Sequence, residues 1–226
     1  MKRTSLLLHL VFILIVLVEL TGRIVDLPVP EYAVKPLIMI WISLYFILYG
    51  RNVRNRITAL TAFFFSWLGD ILLMFSDKNE LFFFAGVGGF FVSQVFYILT
   101  FMSSGEKGEK GFIAVKPFWA LPFVLYLGGI FFLLYPGLDG IMIPIVLAYA
   151  LSLIGMSLAA LNRKTRSSRM GFILVFVGSL FFVSSDSMLA VNKFLSELPL
   201  SGFLVMSTYI IAQYLIMRGL LEDKES

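Results

Sequence analysis

Long apolar runs separated by short polar breaks organise this chain from end to end. They cover residues 5–22, 34–50, 57–75, 81–102, 117–135, 141–161, 170–192 and 200–219. Each is close to the roughly 20 residues that a helix needs to cross the hydrocarbon core of a bilayer. The breaks carry turn chemistry: Leu27-Pro28-Val29-Pro30, Gly50-Arg51-Asn52 and Ser103-Ser104-Gly105. None is long enough to be a soluble domain. The pattern predicts an all-α, polytopic membrane bundle of about eight helices, forming one transmembrane domain over residues 1–226. Pro122 and Pro144 fall inside the fifth and sixth runs. A kink is expected there, tolerated because neighbouring groups satisfy the freed carbonyl.

Composition removes the soluble alternative. Of 226 residues, 59% are hydrophobic and 14% charged, with a mean hydropathy of +0.93. A water-soluble core of this size has no room for so much apolar surface. Cysteine is absent, which excludes disulfides, thiolate nucleophiles and Cys-ligated metals. The single histidine, His9, excludes a multi-histidine zinc site. No phosphate-binding glycine loop, nucleophile elbow or metal-spaced cluster is present, so neither metal nor cofactor is expected. The net charge of +4 does not point to nucleic acid, because basic residues in a membrane protein mark its cytoplasmic loops.

Those residues also orient the bundle. With the N-terminus inside, the inner segments hold Lys2, Arg3, Arg51, Arg54, Arg56, Lys107, Lys110, Lys116, Arg163, Lys164, Arg166, Arg169, Arg218 and Lys224. The outer segments hold Arg23, Lys35, Lys78 and Lys193. A missed or invented span would invert every downstream loop and spoil the asymmetry, so both termini are expected to be cytoplasmic. Met1-Lys2-Arg3 and the apolar run after it imitate a secretory signal, but Val18-Glu19-Leu20-Thr21-Gly22 lacks the small-x-small cleavage pattern. The first run is expected to be a retained helix, and the location a bacterial cytoplasmic membrane.

Asp70 and Asp186 carry the chemical information. Each lies in the outer half of its run, about a turn or more from the end. A carboxyl at that depth costs about 2.5–3.5 kcal/mol on insertion scales and normally faces a bundle interior or a water cavity. Both helices run outward and place Asp at similar depth, so the two side chains can meet on a shared cavity. A proton shared by two such carboxyls yields one acid and one base near neutral pH. The alternative is a helix-packing hydrogen bond or an outward-snorkelling side chain; two at matched depth favour function.

Supporting groups lie nearby. Lys35, before Pro36, can counter a carboxylate or grip a phosphate, or simply snorkel. Asn192, a candidate substrate-binding residue, and Lys193, a supporter of the site or simply a helix-end anchor, follow Asp186 by about two turns. Gln94 with Tyr97, and Tyr209 with Gln213, are i,i+3 and i,i+4 pairs and candidate substrate-binding residues, with polar glue between helices as the default alternative. Glu19 is expected at the interface and His9 to be structural. Gly86, Gly88 and Gly89 are expected to let helices approach closely. Ser66-Trp67-Leu68-Gly69-Asp70 and Val183-Ser184-Ser185-Asp186 are each followed, one span later, by Gln94 or Gln213. That hints at a parallel repeat of two four-helix halves.

These segments resemble the YhhN family of eight-span membrane proteins, which includes lysoplasmalogenases. The resemblance covers nearly the whole chain. It rests on Lys35-Pro36-Leu37, on Leu68-Gly69-Asp70-Ile71-Leu72-Leu73 and on Gln94-Val95-Phe96-Tyr97. It continues with Ser185-Asp186-Ser187-Met188-Leu189-Ala190-Val191-Asn192-Lys193-Phe194, the most specific segment, and Tyr209-Ile210-Ile211-Ala212-Gln213-Tyr214-Leu215-Ile216. Where the family pattern often has histidine, this chain has Gln94, which hydrogen-bonds but does not shuttle protons. The resemblance implies hydrolysis of the vinyl-ether bond of a lysoplasmalogen, a lysophospholipid, to a fatty aldehyde and a glycerophospho-base. Asp70 and Asp186 would form the acid–base pair, with no choice between the roles, and Lys35 would meet the phosphate. The partners implied are this substrate and membrane lipid. Two other classes stay open: a proton-coupled transporter or lipid carrier using the same aspartates, and a scaffold in which they only hold helices together.

Overall fold

In hydrocarbon the backbone finds hydrogen-bond partners only within its own segment, so each apolar run folds as a helix. The computed structural model describes residues 2–25, 28–105 and 109–223. Its helices are α1 (Lys2–Val25), α2 (Pro28–Tyr49), α3 (Arg56–Leu73), α4 (Glu80–Met102), the short α5 (Phe112–Val115), α6 (Leu121–Leu134), α7 (Met142–Asn162), α8 (Arg169–Phe194) and α9 (Ser201–Leu221). Eight are long and apolar enough to cross a membrane, the fifth counted from Pro117 to Gly137. They match the expected runs to within a few residues, and no strand occurs among the described residues. Lys107 and Lys224, assigned above to the inner side, lie outside the described residues, as do the side chains of Lys2 and Arg3.

The prolines sit differently from expectation. Pro28 and Pro30 open α2 instead of separating it from α1. Pro122 is at the start of α6, and Pro144 lies in the first turn of α7. The first backbone N–H groups of a helix have no intrahelical partner, so proline forfeits nothing there and no kink is required. Only Pro36 lies in a helix interior.

The closest helix pairs are α3 with α4 and α8 with α9, and glycine is the reason. A Cβ on Gly89 would stand 3.2 Å from Gly69 Cα, and one on Gly178 would stand 2.9 Å from Ala212 O. Bare backbone therefore packs on backbone, as small residues allow in membranes. Gly88 differs from its neighbours, since a Cβ there meets nothing within 4 Å. The buried core runs along α2, α3, α4, α7, α8 and α9. By contrast, only 6% of the fifth span is buried, against 56% of α9, so α6 lies at the periphery. At one end Arg163 is fully buried, hydrogen-bonds Asp223 and lies 5.4 Å from the ring of Phe101.

Candidate active site

The end of the bundle that carries Arg23, Asp77 and Lys193 opens into a cavity of about 300 Å³, and both Asp70 and Asp186 line it. Asp70 comes from the last turns of α3 and is 2% exposed. Its Oδ2 accepts a hydrogen bond from the Tyr209 hydroxyl at 2.7 Å. Its Oδ1 faces Lys35 Nζ at 3.8 Å, in Coulombic contact but too far for a direct hydrogen bond. Lys35, 7% exposed, therefore neutralises the carboxylate while keeping donors for another anion.

Asp186, 8% exposed, projects from α8 into different surroundings. Its Oδ2 accepts from the Tyr149 hydroxyl at 2.5 Å and from Gln94 Nε2 at 3.2 Å. The Gln94 amide is held in turn by the Ser152 hydroxyl, which donates to Oε1. No ion pair to Asp186 occurs among the described residues. Two apolar crevices also reach Asp186, one lined from α4, α7 and α8, the other from α6, α7 and α8. One carboxylate thus sits beside a cation, and the other marks the boundary between a polar cavity and hydrocarbon.

The remaining expected residues divide into cavity wall and buttress. Lys35, Asn192, Lys193 and Tyr209 line the cavity. Asn192 also closes the α8–α9 connection, its Oδ1 accepting from Leu198 N at 2.9 Å, and Lys193 Nζ lies 4.8 Å from the centre of the Phe83 ring. Gln94, Tyr97 and Gln213 are fully buried behind the wall. Tyr97 donates to Gln213 Oε1, Gln213 Nε2 donates to Ser66 Oγ at 3.0 Å, and Ser66 meets Ser93 at 2.7 Å. This fully partnered network fixes α3, α4 and α9 beneath Asp70, as buried polar groups must be satisfied.

Several residues of the site were not singled out above. Tyr149 and Ser152 are an i,i+3 polar pair in a run whose other interior polar side chain is Ser157; the spacing is that of Gln94 and Tyr97, and it is the signal that points to them. Glu19 is not interfacial: it is fully buried and bonded to Arg23 Nε at 2.9 Å. Arg23 itself lines the cavity. His9 sits among the rings of Trp41, Tyr45 and Tyr214, outside the cavity lining. Among the described residues no group of three His, Cys, Asp or Glu side chains is placed to hold a metal ion.

Paired carboxyls with distinct partners, a cationic wall and a hydrocarbon boundary suit acid–base chemistry on an amphiphile. The chain is similar in sequence to known proteins. The human protein named lysoplasmalogenase TMEM86A is 32% identical over 165 residues, covering 71% of this chain and 64% of that protein. Its Bos taurus counterpart, also named lysoplasmalogenase TMEM86A, is 29% identical over 165 residues, with the same coverage of 71% and 64%. The chain thus spans a little under two thirds of the length of these curated relatives. No solved structure matches. The model of the YhhN family matches residues 30–220, a stretch that contains Lys35, Asp70, Gln94, Tyr97, Tyr149, Asp186, Asn192, Tyr209 and Gln213. This chain belongs to the YhhN family.

Proposed function

We propose that this protein hydrolyses the vinyl-ether bond of a lysoplasmalogen within the membrane, releasing a fatty aldehyde and a glycerophospho-base. The reading is carried by one observation: two aspartates from different helices line a single cavity, with a lysine beside one and apolar crevices beside the other. The names and similarity of the relatives support the substrate class.

A vinyl ether hydrolyses through proton transfer to its outer alkene carbon. Asp186 is the donor in this proposal. Its Oδ2 is occupied by Tyr149 and Gln94, which leaves Oδ1 to carry the transferable proton at the edge of the apolar crevice. The resulting oxocarbenium ion is stabilised by the Asp70 carboxylate, whose own charge is held by Lys35 and Tyr209. Asp70 then takes a proton as water adds to the cationic carbon, giving a hemiacetal. Collapse breaks the bond to the glycerol oxygen. That oxygen leaves with the proton from Asp70, and the hemiacetal hydroxyl proton returns to Asp186. One water is consumed and both carboxyls are reset, the division of labour used by paired carboxylates in glycoside hydrolysis. Lys35 and Lys193 line the cavity and would meet the phosphate as point charges, and Arg23, also in the lining, would meet it through its planar guanidinium. With both termini cytoplasmic, the cavity would open to the outer face of the membrane.

The test is aldehyde release from lysoplasmalogen by the purified protein in nanodiscs, run in heavy water. One deuterium is expected at the aldehyde carbon next to the carbonyl, because that carbon receives the solvent-exchanged proton. Release is expected to vanish in both Asp70→Asn and Asp186→Asn. Undiminished turnover in both folded variants would exclude this mechanism.

A second reading, a proton-coupled transporter or lipid carrier, has its own support. The buried network of Tyr97, Gln213, Ser66 and Ser93 continues the polar path away from the cavity, as intramembrane proton relays do. Lipid binding that is coupled to pH, with no aldehyde formed, would favour it.

A further inference from the structure

Two apolar crevices converge on Asp186, and they are not equivalent. The one between α4, α7 and α8 shares Leu73, Phe83, Phe90, Leu189 and Asp186 with the polar cavity. The one behind α6 shares Asp186 alone. Only the first therefore adjoins the cavity along a shared wall of five residues, with Asp186 among them. Away from the cavity, that crevice is lined by Val87 of α4 and by Ile145 and Val146 of α7. Ile145 is 37% exposed on the surface that meets lipid.

We infer that the α4–α7–α8 crevice is the subsite for the hydrocarbon chain of the lipid substrate, and that the chain reaches it sideways from the bilayer between α4 and α7. The inference rests on the proposed lipid-cleaving reading for the identity of the reacting bond. The phosphate end lies in the polar cavity among Lys35, Arg23 and Lys193, and the chain lies between Val87 and Ile145. The first chain carbons, which hold the alkene, then fall at Asp186, where the two spaces meet. Phe83 and Leu189 form the neck between them, and Val87 and Ile145 set which chain lengths fit. A substrate drawn from the bilayer in this way never carries its chain through water, so it avoids a cost of about 0.8 kcal/mol for each methylene exposed.

The test uses two probes on protein in nanodiscs. The first is a non-hydrolysable saturated-ether lysophospholipid with a diazirine near the far end of its chain, with adducts located by mass spectrometry. Adducts are expected on the α4 and α7 segments containing Val87, Ile145 and Val146. They are expected to fall about tenfold or more in Val87→Trp and to persist in Ile130→Trp, which fills the crevice behind α6. The second probe is the ratio of kcat/KM for a long-chain over a short-chain alkenyl substrate. It is expected to fall about tenfold in Val87→Trp, the scale on which apolar pockets discriminate chain size, and to hold steady in Ile130→Trp. Adducts concentrated on α6, or adducts and ratio both unmoved by Val87→Trp, would overturn the chain subsite. Adducts at Val87 and Ile145 without turnover of any vinyl ether would uphold the subsite while removing the hydrolase reading. Turnover with adducts only elsewhere would do the reverse.

Discussion

Lys35 and Asp70 test whether the site is held by charge. Both are buried, and Nζ lies 3.8 Å from Oδ1. At an effective dielectric constant of about 20, that separation corresponds to an attraction of about 4 kcal/mol. Replacing Lys35 by Met leaves the Asp70 carboxylate with Tyr209 as its remaining hydrogen-bond partner. Replacing Asp70 by Asn leaves an ammonium group in the same buried place. Each single change therefore costs more than the pair contributes, whereas the double variant removes both charges together. Water from the adjoining cavity and local rearrangement recover part of the loss. A coupling of about 2–4 kcal/mol is thus expected in a double-mutant cycle. Reversible unfolding in mixed detergent micelles measures it, with wild type, both single variants and the double variant at one pH. The sign is specific: the double variant should be more stable than the sum of the singles. Additivity within about 0.5 kcal/mol would mean that the two groups do not share an ion pair, and the assignment of Asp70 as a charged carboxylate would fall with it.

Other expectations follow from the same geometry. Tyr149→Phe removes one of two donors to Asp186 Oδ2; charge develops on that carboxyl as it gives up its proton, and a hydrogen bond to a charged group contributes about 1.5–3 kcal/mol. A fall in kcat of about tenfold to a hundredfold is expected, with KM little changed, measured by aldehyde release. Gly89→Ala places a methyl 3.2 Å from Gly69 Cα and is expected to destabilise by about 1–3 kcal/mol through overpacking. Gly88→Ala meets nothing within 4 Å and should be neutral or stabilising by up to about 1 kcal/mol, since glycine is a poor helix former. The chain contains no cysteine, so single introduced cysteines report sidedness without background. If both termini are cytoplasmic, as the distribution of basic residues predicts, a membrane-impermeant maleimide applied to intact cells should label Ser196→Cys and spare Lys110→Cys; the opposite pattern would invert the bundle.

The spans were legible because hydrocarbon permits so few backbone arrangements that length and hydropathy nearly determine the element. Asp70 and Asp186 were legible for a related reason: a carboxyl is conspicuous where insertion penalises it. What hydropathy does not encode is rotation about the helix axis. Tyr149 is one of 9 tyrosines, and its place on Asp186 depends on which face of α7 meets α8, a property of packing between elements distant in sequence. Glu19 failed for the same reason, since depth near a helix end does not say whether a side chain turns inward to Arg23 or outward to the headgroups. The prolines misled by position: Pro122 and Pro144 were counted within their runs, but the helices begin only just before them. The sequence marks Gln94 by its spacing from Tyr97 and by its place where the family often has histidine, but not by its partner. Its bond to Asp186, across 92 residues of sequence, is visible only in three dimensions.

The hydrogen bond between Asp70 and Tyr209 joins groups 139 residues apart, and this has a bearing on biogenesis. During synthesis α3 emerges long before α9, so the Asp70 carboxyl and the hydroxyls of Ser66 and Tyr97 enter the lipid phase before Tyr209 and Gln213 exist. Until translation of the last helix ends, those groups rely on Lys35, on one another and on water. The nascent first half is therefore a natural client for insertion chaperones and for quality control, and a chain truncated before α9 would expose that same unsatisfied patch. Separately synthesised halves, if both reach the membrane, already carry the complementary donors and acceptors needed to find each other there.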